Sequence, residues 1–170
     1  MRPDQLAEYR DFVASRQHRL RRFAYLNCGD WHRAEDVVQT AFVKLYAAWN
    51  RASSDSLDAY TRRIVVNTII DDSRRGWFRK ERPVEVIPDR PVSDHDPTDR
   101  IAALEALARL PAKRRATLVL RYWEDMSVEQ TAEVMGCSVN TVKSQTARGI
   151  QSLRGTVVES ISDNPLGTTA

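Results

Sequence analysis

Long apolar runs are missing from this 170-residue sequence, and no stretch approaches the roughly 20 residues that a membrane-spanning helix needs. The opening residues, MRPDQLAEYRDF, mix acids with bases and contain no continuous apolar segment. They do not read as a secretory signal, so a cytoplasmic protein without membrane insertion is expected. Cysteine is scarce: Cys28 and Cys137 lie far apart, with no CxxC or Cys/His ligand spacing around either. That argues against a structural zinc site or a disulfide framework and leaves two reduced, half-buried thiols. His18, His32 and His95 are scattered, away from any pattern that would make a metal or catalytic cluster. The sequence also lacks a phosphate-cradling glycine loop, a nucleophile beside a base, and paired inward carboxylates. Asp71 and Asp72 read as a helix-end or salt-bridge pair. An enzyme is not expected, nor a metal or other cofactor.

What is present belongs to a globular chain: 42% of the residues are hydrophobic and 29% charged, which excludes the disordered and membrane classes. The length suits one ordinary domain or two small helical ones, each with a modest core of its own. Net charge is only +3 but unevenly spread. Residues 1–82 carry 16 Lys/Arg against 11 Asp/Glu, residues 83–100 carry 2 against 5, and the remainder 8 against 7. An arginine-rich first block is compatible with a phosphate-binding surface.

Pro83 to Pro97 holds four of the seven prolines, has no helical periodicity and is acidic, the composition of a linker. On either side apolar residues recur at spacings of three and four, and nothing alternates as a strand. The expected fold is all-α: a helical domain over 1–82, a flexible linker over 83–98, a second helical domain over 99–160 and a tail over 161–170.

In the first domain a helix from about Gln5 to Leu26 meets the breaker Cys28-Gly29-Asp30. The next segment, residues 34–49, places Val38, Phe42, Leu45 and Trp49 on one core-facing stripe, with Asp36, Gln39 and Thr40 facing elsewhere. After the polar loop NRASSDS, a third helix from about Leu57 to Arg75 turns Ile64 and Thr68 inward. It leaves Arg62, Arg63, Asn67, Arg74 and Arg75 for solvent or a ligand. The basic end continues through Gly76, Trp77, Phe78, Arg79 and Lys80, where aromatics interleave with bases as a nucleic-acid backbone and unstacked bases require.

The second domain opens with Ile101, Leu104, Leu107 and Ala108 as an apolar face, and Pro111 suits the first turn of a following helix. Ser127 and Gln130 then form an S-x-x-Q capping box, Gly136 supplies a left-handed helix end, and Ser138 caps a longer helix. Short helix, glycine-containing turn, longer helix is the helix-turn-helix layout. Val142, Thr146, Ile150 and Leu153 fall on its inner face; Asn140, Ser144, Ala147 and Gln151 fall on the outer, flanked by Lys143 and Arg148. From Ser138 to Leu153 there is no acidic residue. An ordinary solvated hairpin carries Glu/Lys pairs, whereas Lys, Arg, Asn and Gln with a small Ala suit the major groove.

These segments resemble the extracytoplasmic-function (ECF) sigma factors of the sigma-70 family, and among them the actinobacterial SigE-like group. LPAKRRATLVLRYWEDMSVEQTAEVMGCSVNTVKSQTARGIQSLR is similar to region four, and AEDVVQTAFVKLYAAW with LDAYTRRIVVNTIIDDSRR to parts of region two. The resemblance implies a factor that binds core RNA polymerase through its clamp and flap and directs initiation at promoter DNA, with an anti-sigma factor as a further partner. It implies polymerase binding by Asp36 and Gln39 beside Thr40, which stands where the family often has an acid. It implies capture of a flipped base of the minus-ten element by the loop Asn50 to Ser56, and minus-ten strand binding by Arg63 and Asn67, with Arg62, Arg74 and Arg75 on the same basic helix. It implies reading of the minus-thirty-five element by Lys143, Ser144, Ala147 and Arg148, beside Thr141. Gln145 stands where Arg is frequent, and Asn140 where Gly is common.

Three rivals remain at this point. A free-standing helix-turn-helix regulator needs a dimer surface and half-site symmetry. A helical interaction adaptor has no salt-sensitive affinity for DNA. A sigma-like chain that has lost activity keeps the motifs alone.

Overall fold

In the computed structural model, which describes residues 2–52, 56–75 and 97–162, every described element is helical. The linker expected over 83–98 and the basic-aromatic run 76–80 fall almost wholly outside these residues, as does the tail beyond 162.

The first half is three helices: α1 (Pro3–Cys28), α2 (Trp31–Ala48) and α3 (Leu57–Arg74). The breaker between α1 and α2 works in two steps. Gly29 adopts φ 70°, the left-handed conformation that lets its N–H close on the Tyr25 carbonyl. Asp30 then caps α2, accepting from the Arg33 N–H at 3.1 Å. Because Val38, Phe42, Leu45 and Trp49 recur at helical spacing, α2 buries the first three and its C-cap residue Trp49 continues the stripe. Trp49 meets Tyr9 and Phe12 of α1 edge to face, with ring centroids 5.2 and 5.7 Å apart. Fully buried Phe23 and Leu45 each contribute about 1.5–3 kcal/mol by leaving water. Arg33 and Asp72 pair at 3.2 Å across α2 and α3, so the expected salt-bridge role of the Asp71-Asp72 pair is filled by Asp72.

The second half is α4 (Pro97–Ala108), α5 (Ala112–Leu118), α6 (Val128–Met135) and α7 (Val139–Ser162). Pro111 is the cap before α5 rather than its first turn. Of the expected apolar face of α4, Leu104 and Leu107 pack against the core, whereas Ile101 and Ala108 are exposed and Ala106 is the buried residue of the helix. The helix lies against α1 and α7, so its buried stripe is set by two neighbours at once. Arg115 fastens its end, donating to the carbonyls of Leu107 and Leu110 at 2.8 Å each and to that of Asn27 in α1.

After Leu118 the helix widens into one π turn, Val119–Trp123, with the Glu124 N–H reaching back five residues to the Val119 carbonyl at 3.0 Å. This turn has no signature in the sequence pattern. It leaves Tyr122 and Trp123 exposed and puts Glu124 inside.

The halves do not keep separate cores. Residues from Phe12 to Ile70 and from Ala112 to Val134 form one continuous apolar cluster, because α3 packs on α5 and α6 while α1 packs on α4 and the π turn.

Candidate nucleic-acid interface

The helix-turn-helix is built by local hydrogen bonding. Ser127 Oγ accepts from the Gln130 N–H at 3.0 Å, and Gln130 Oε1 accepts from the Ser127 N–H at 2.9 Å, so both members of the capping box are satisfied. Gly136 takes φ 63° and ends α6. Ser138 Oγ accepts from the Thr141 N–H at 3.1 Å and starts α7. Thr131, Val134 and Val142 are fully buried between the two helices and the body behind them. Asn140, Thr141, Lys143, Ser144, Ala147 and Arg148 of α7 are all exposed, as is Gln151 a turn further on.

Two members of the expected reading face are partly engaged elsewhere. The Thr141 hydroxyl pairs with Ser138 Oγ at 2.8 Å as part of the cap. Gln145 is half-buried and accepts from Arg114 Nε of α5 at 3.4 Å, which turns it away from the exposed face.

α2 presents Asp36, Gln39 and Thr40, all exposed. Asp36 and Thr40 line a polar cleft of about 690 Å³ with Lys44, Asp71, Asp72 and Arg75. Arg75, grouped by sequence with the strand-binding residues, thus lies on the side of α3 shared with Asp36.

Arg63, Asn67 and Arg74 are exposed on α3. Arg62 is not: its side chain keeps only 13% of its surface, where a solvent-facing arginine was expected. It donates through Nη2 and Nε to Oε2 of Glu124, at 2.9 and 3.1 Å. Glu124, itself 3% exposed, also pairs with Arg19 of α1 at 3.1 Å. A carboxylate so far from water needs such partners, and sequence offered no sign of them because Arg62 and Glu124 are 62 residues apart. Residues 53–55 of the expected base-capturing loop lie outside the described residues.

Both cysteines are half-buried and free. Burial pushes the Cys28 thiol up to about 12, offset in part by Arg33 and Arg115, and burial raises Cys137 as well. Among the described residues no helix is long and apolar enough to cross a membrane.

A capped helix-turn-helix with an acid-free outer face, carried behind a three-helix arginine-rich body, defines a helical DNA-binding protein of two parts. Comparison with known proteins narrows the class. Residues 12–79 match the family described as Sigma-70 region 2, and residues 100–153 match Sigma-70, region 4. The chain is 38% identical over 157 residues to an RNA polymerase sigma-E factor of Streptomyces avermitilis, covering 88% of this chain and 85% of that protein. It is 32% identical to the ECF RNA polymerase sigma factor SigM of Mycobacterium tuberculosis, covering 81% of this chain and 71% of that one. The fold is similar to that of the sigma factor RpoE from Bartonella quintana, solved with the anti-sigma factor NepR, at a TM-score of 0.72 and 24% identity over 88% of this chain and 96% of that one. The chain belongs to the extracytoplasmic-function sigma factors of the sigma-70 family, and it is a sigma factor that directs RNA polymerase to initiate transcription.

Proposed function

We propose that each half of this sigma factor holds one promoter element while both are anchored on core RNA polymerase. On this reading Asp36 and Gln39, with Thr40, dock on the clamp of the largest subunit, and the second half meets the flap. Arg63, Asn67 and Arg74 hold the melted minus-ten strand, joined by Arg62 when it is free of Glu124 and by Arg75 at the end of α3. Lys143, Ser144, Ala147 and Arg148, with Asn140 and Thr141, read the minus-thirty-five duplex, and Gln145 acts at its edge. The single observation that carries this reading is the outer face of α7, where polar or small residues stand exposed without an acid among them.

The protein makes and breaks no bond, and the chemistry belongs to the polymerase in the cytoplasm. Two elements held at once raise each other's effective concentration, so neither half needs tight binding alone. The domain limits that fit this division are 1–82 and 99–160, with the linker over 83–98 setting their reach and a tail over 161–170. An anti-sigma factor is proposed as a further partner, in keeping with the complex in which the Bartonella quintana neighbour was solved.

Reversing Asp36 to Arg tests the docking assignment. Asp36 is exposed, so the variant is expected to melt like the wild type. It should nevertheless co-elute poorly with core polymerase. Wild-type co-elution by a folded Asp36→Arg protein removes Asp36 from the interface.

A further inference from the structure

Arg114 of α5 sits against the edge of the recognition helix with its charge unmatched. Its stem packs on α7, so that a Cβ added to Gly149 would stand 3.2 Å from Arg114 Cγ. Its Nε donates to Gln145 Oε1 at 3.4 Å, and no carboxylate among the described residues pairs with it. The two terminal nitrogens have no partner among those residues and are not buried. Gln145 shares its side of α7 with Thr141 and Arg148, four positions before and three after it, and both of these are exposed. Two guanidiniums therefore flank one glutamine on an edge where α7 offers no acid from Ser138 to Leu153. Arg114 also stands in the first turn of α5, where the helix dipole disfavours a cation. Its charge stabilises nothing within the fold, and an anion brought to this edge would be stabilised by it.

We propose that Arg114 grips a DNA backbone phosphate from outside the recognition helix, with Gln145 as the positioning residue that aims its guanidinium, so that α5 sets the register in which α7 enters the groove. This rests on the reading that α7 meets the minus-thirty-five duplex. The chemistry favours a phosphate over a base edge. Arg114 approaches from the flank of α7 rather than from its outer face, and in a helix-turn-helix the elements beside the recognition helix are the ones that cross the backbone. The planar fork of a guanidinium presents parallel N–H donors to two phosphate oxygens. Such contacts fix orientation and carry no sequence information. A stem already held against α7 has less rotamer freedom to lose on binding than a free surface arginine.

The test uses the full chain and the fluorescence anisotropy of two fluorescein-labelled duplexes of unrelated random sequence, titrated between about 50 and 200 mM salt. Arg114→Met keeps the packed stem and removes the guanidinium; Arg114→Gln takes its place if that variant does not fold. Arg10→Ala, an exposed cation lost from α1, corrects for net charge. Arg114→Met is expected to weaken binding to both duplexes by the same factor, with a slope of log affinity against log salt shallower than that of Arg10→Ala by about 1. Gln145→Ala should weaken binding at the wild-type slope, because the charge is kept and only its aim is lost. A slope and an affinity equal to those of Arg10→Ala overturn the phosphate contact. Equal losses from Arg114→Met and Gln145→Ala, both at the wild-type slope, overturn it differently, since the pair then only holds α7 against α5. A loss confined to one duplex makes Arg114 a base reader and overturns it as well. Lys143→Ala in the same titration separates this proposal from the reading beneath it. If Lys143→Ala weakens binding and Arg114→Met does not, α7 meets DNA without Arg114; if neither does, the reading of α7 fails too.

Discussion

Gly149 of α7 lies so close to Leu118 of α5 that a Cβ on the glycine would stand 2.7 Å from Leu118 Cδ1 and 2.9 Å from its Cγ. Leu118 is itself buried at 3% exposure, so it has little room to withdraw. The glycine is what lets the recognition helix press onto the body, and with it the outer face of α7 is held at a fixed height.

Alanine at Gly149 therefore sets two effects against each other. Helix propensity favours Ala by up to about 1 kcal/mol, while overpacking a closed site costs about 1–3 kcal/mol. Overpacking is expected to win. Urea unfolding of Gly149→Ala should give a stability about 1–2 kcal/mol below wild type, and a stabilised variant would show that α5 and α7 can part without cost.

Lys143→Ala and Arg148→Ala remove exposed cations from the outer face of α7. Each is expected to weaken binding to a cognate minus-thirty-five duplex by about 1–3 kcal/mol where it contacts a base. Neither should change the melting temperature. Where a side chain contacts only phosphate, the loss should be uniform across sequences and the salt dependence shallower. Unchanged affinity and unchanged promoter selectivity in both variants would take DNA reading away from this face.

The thiols give a pH-dependent prediction. Burial holds Cys28 protonated to about 12, whereas an exposed thiol ionises near 9.0. The folded-state value is the raised one, so the stability it contributes is complete below pH 9 and declines as pH rises from 9 toward 12. Cys28→Ala should flatten that alkaline decline. At neutral pH both thiols should react with a thiol reagent more slowly than a free thiol, Cys28 the more slowly of the two. Rapid modification of both in the native protein would contradict the burial.

What could be read from sequence is what is decided locally. The Ser127/Gln130 box, the Gly136 turn and the Ser138 cap each depend on atoms within four residues, and the stripe Val38, Phe42, Leu45, Trp49 depends only on helical spacing. The features that escaped join residues far apart. Arg62 is taken by Glu124 from 62 positions away, and Arg115 reaches an Asn27 carbonyl 88 positions away. Whether an arginine on a helix faces solvent or a carboxylate is fixed by which helix is laid over it. The π turn that puts Glu124 inside likewise answers to the packing of α5 against α1 and α3. The continuous core follows from the same docking, which neither half's periodicity encodes.

Transcription by core RNA polymerase is the most direct test of the sigma assignment. The purified protein is added to bacterial core enzyme on fragmented genomic DNA from its own source, and transcript starts are mapped. The expected result is a set of starts that depend on the protein and share a spaced pair of upstream motifs, weakened by Lys143→Ala at the outer motif. Absence of protein-dependent starts, with a folded protein that does not co-elute with the core enzyme, would contradict promoter-directed initiation by this chain.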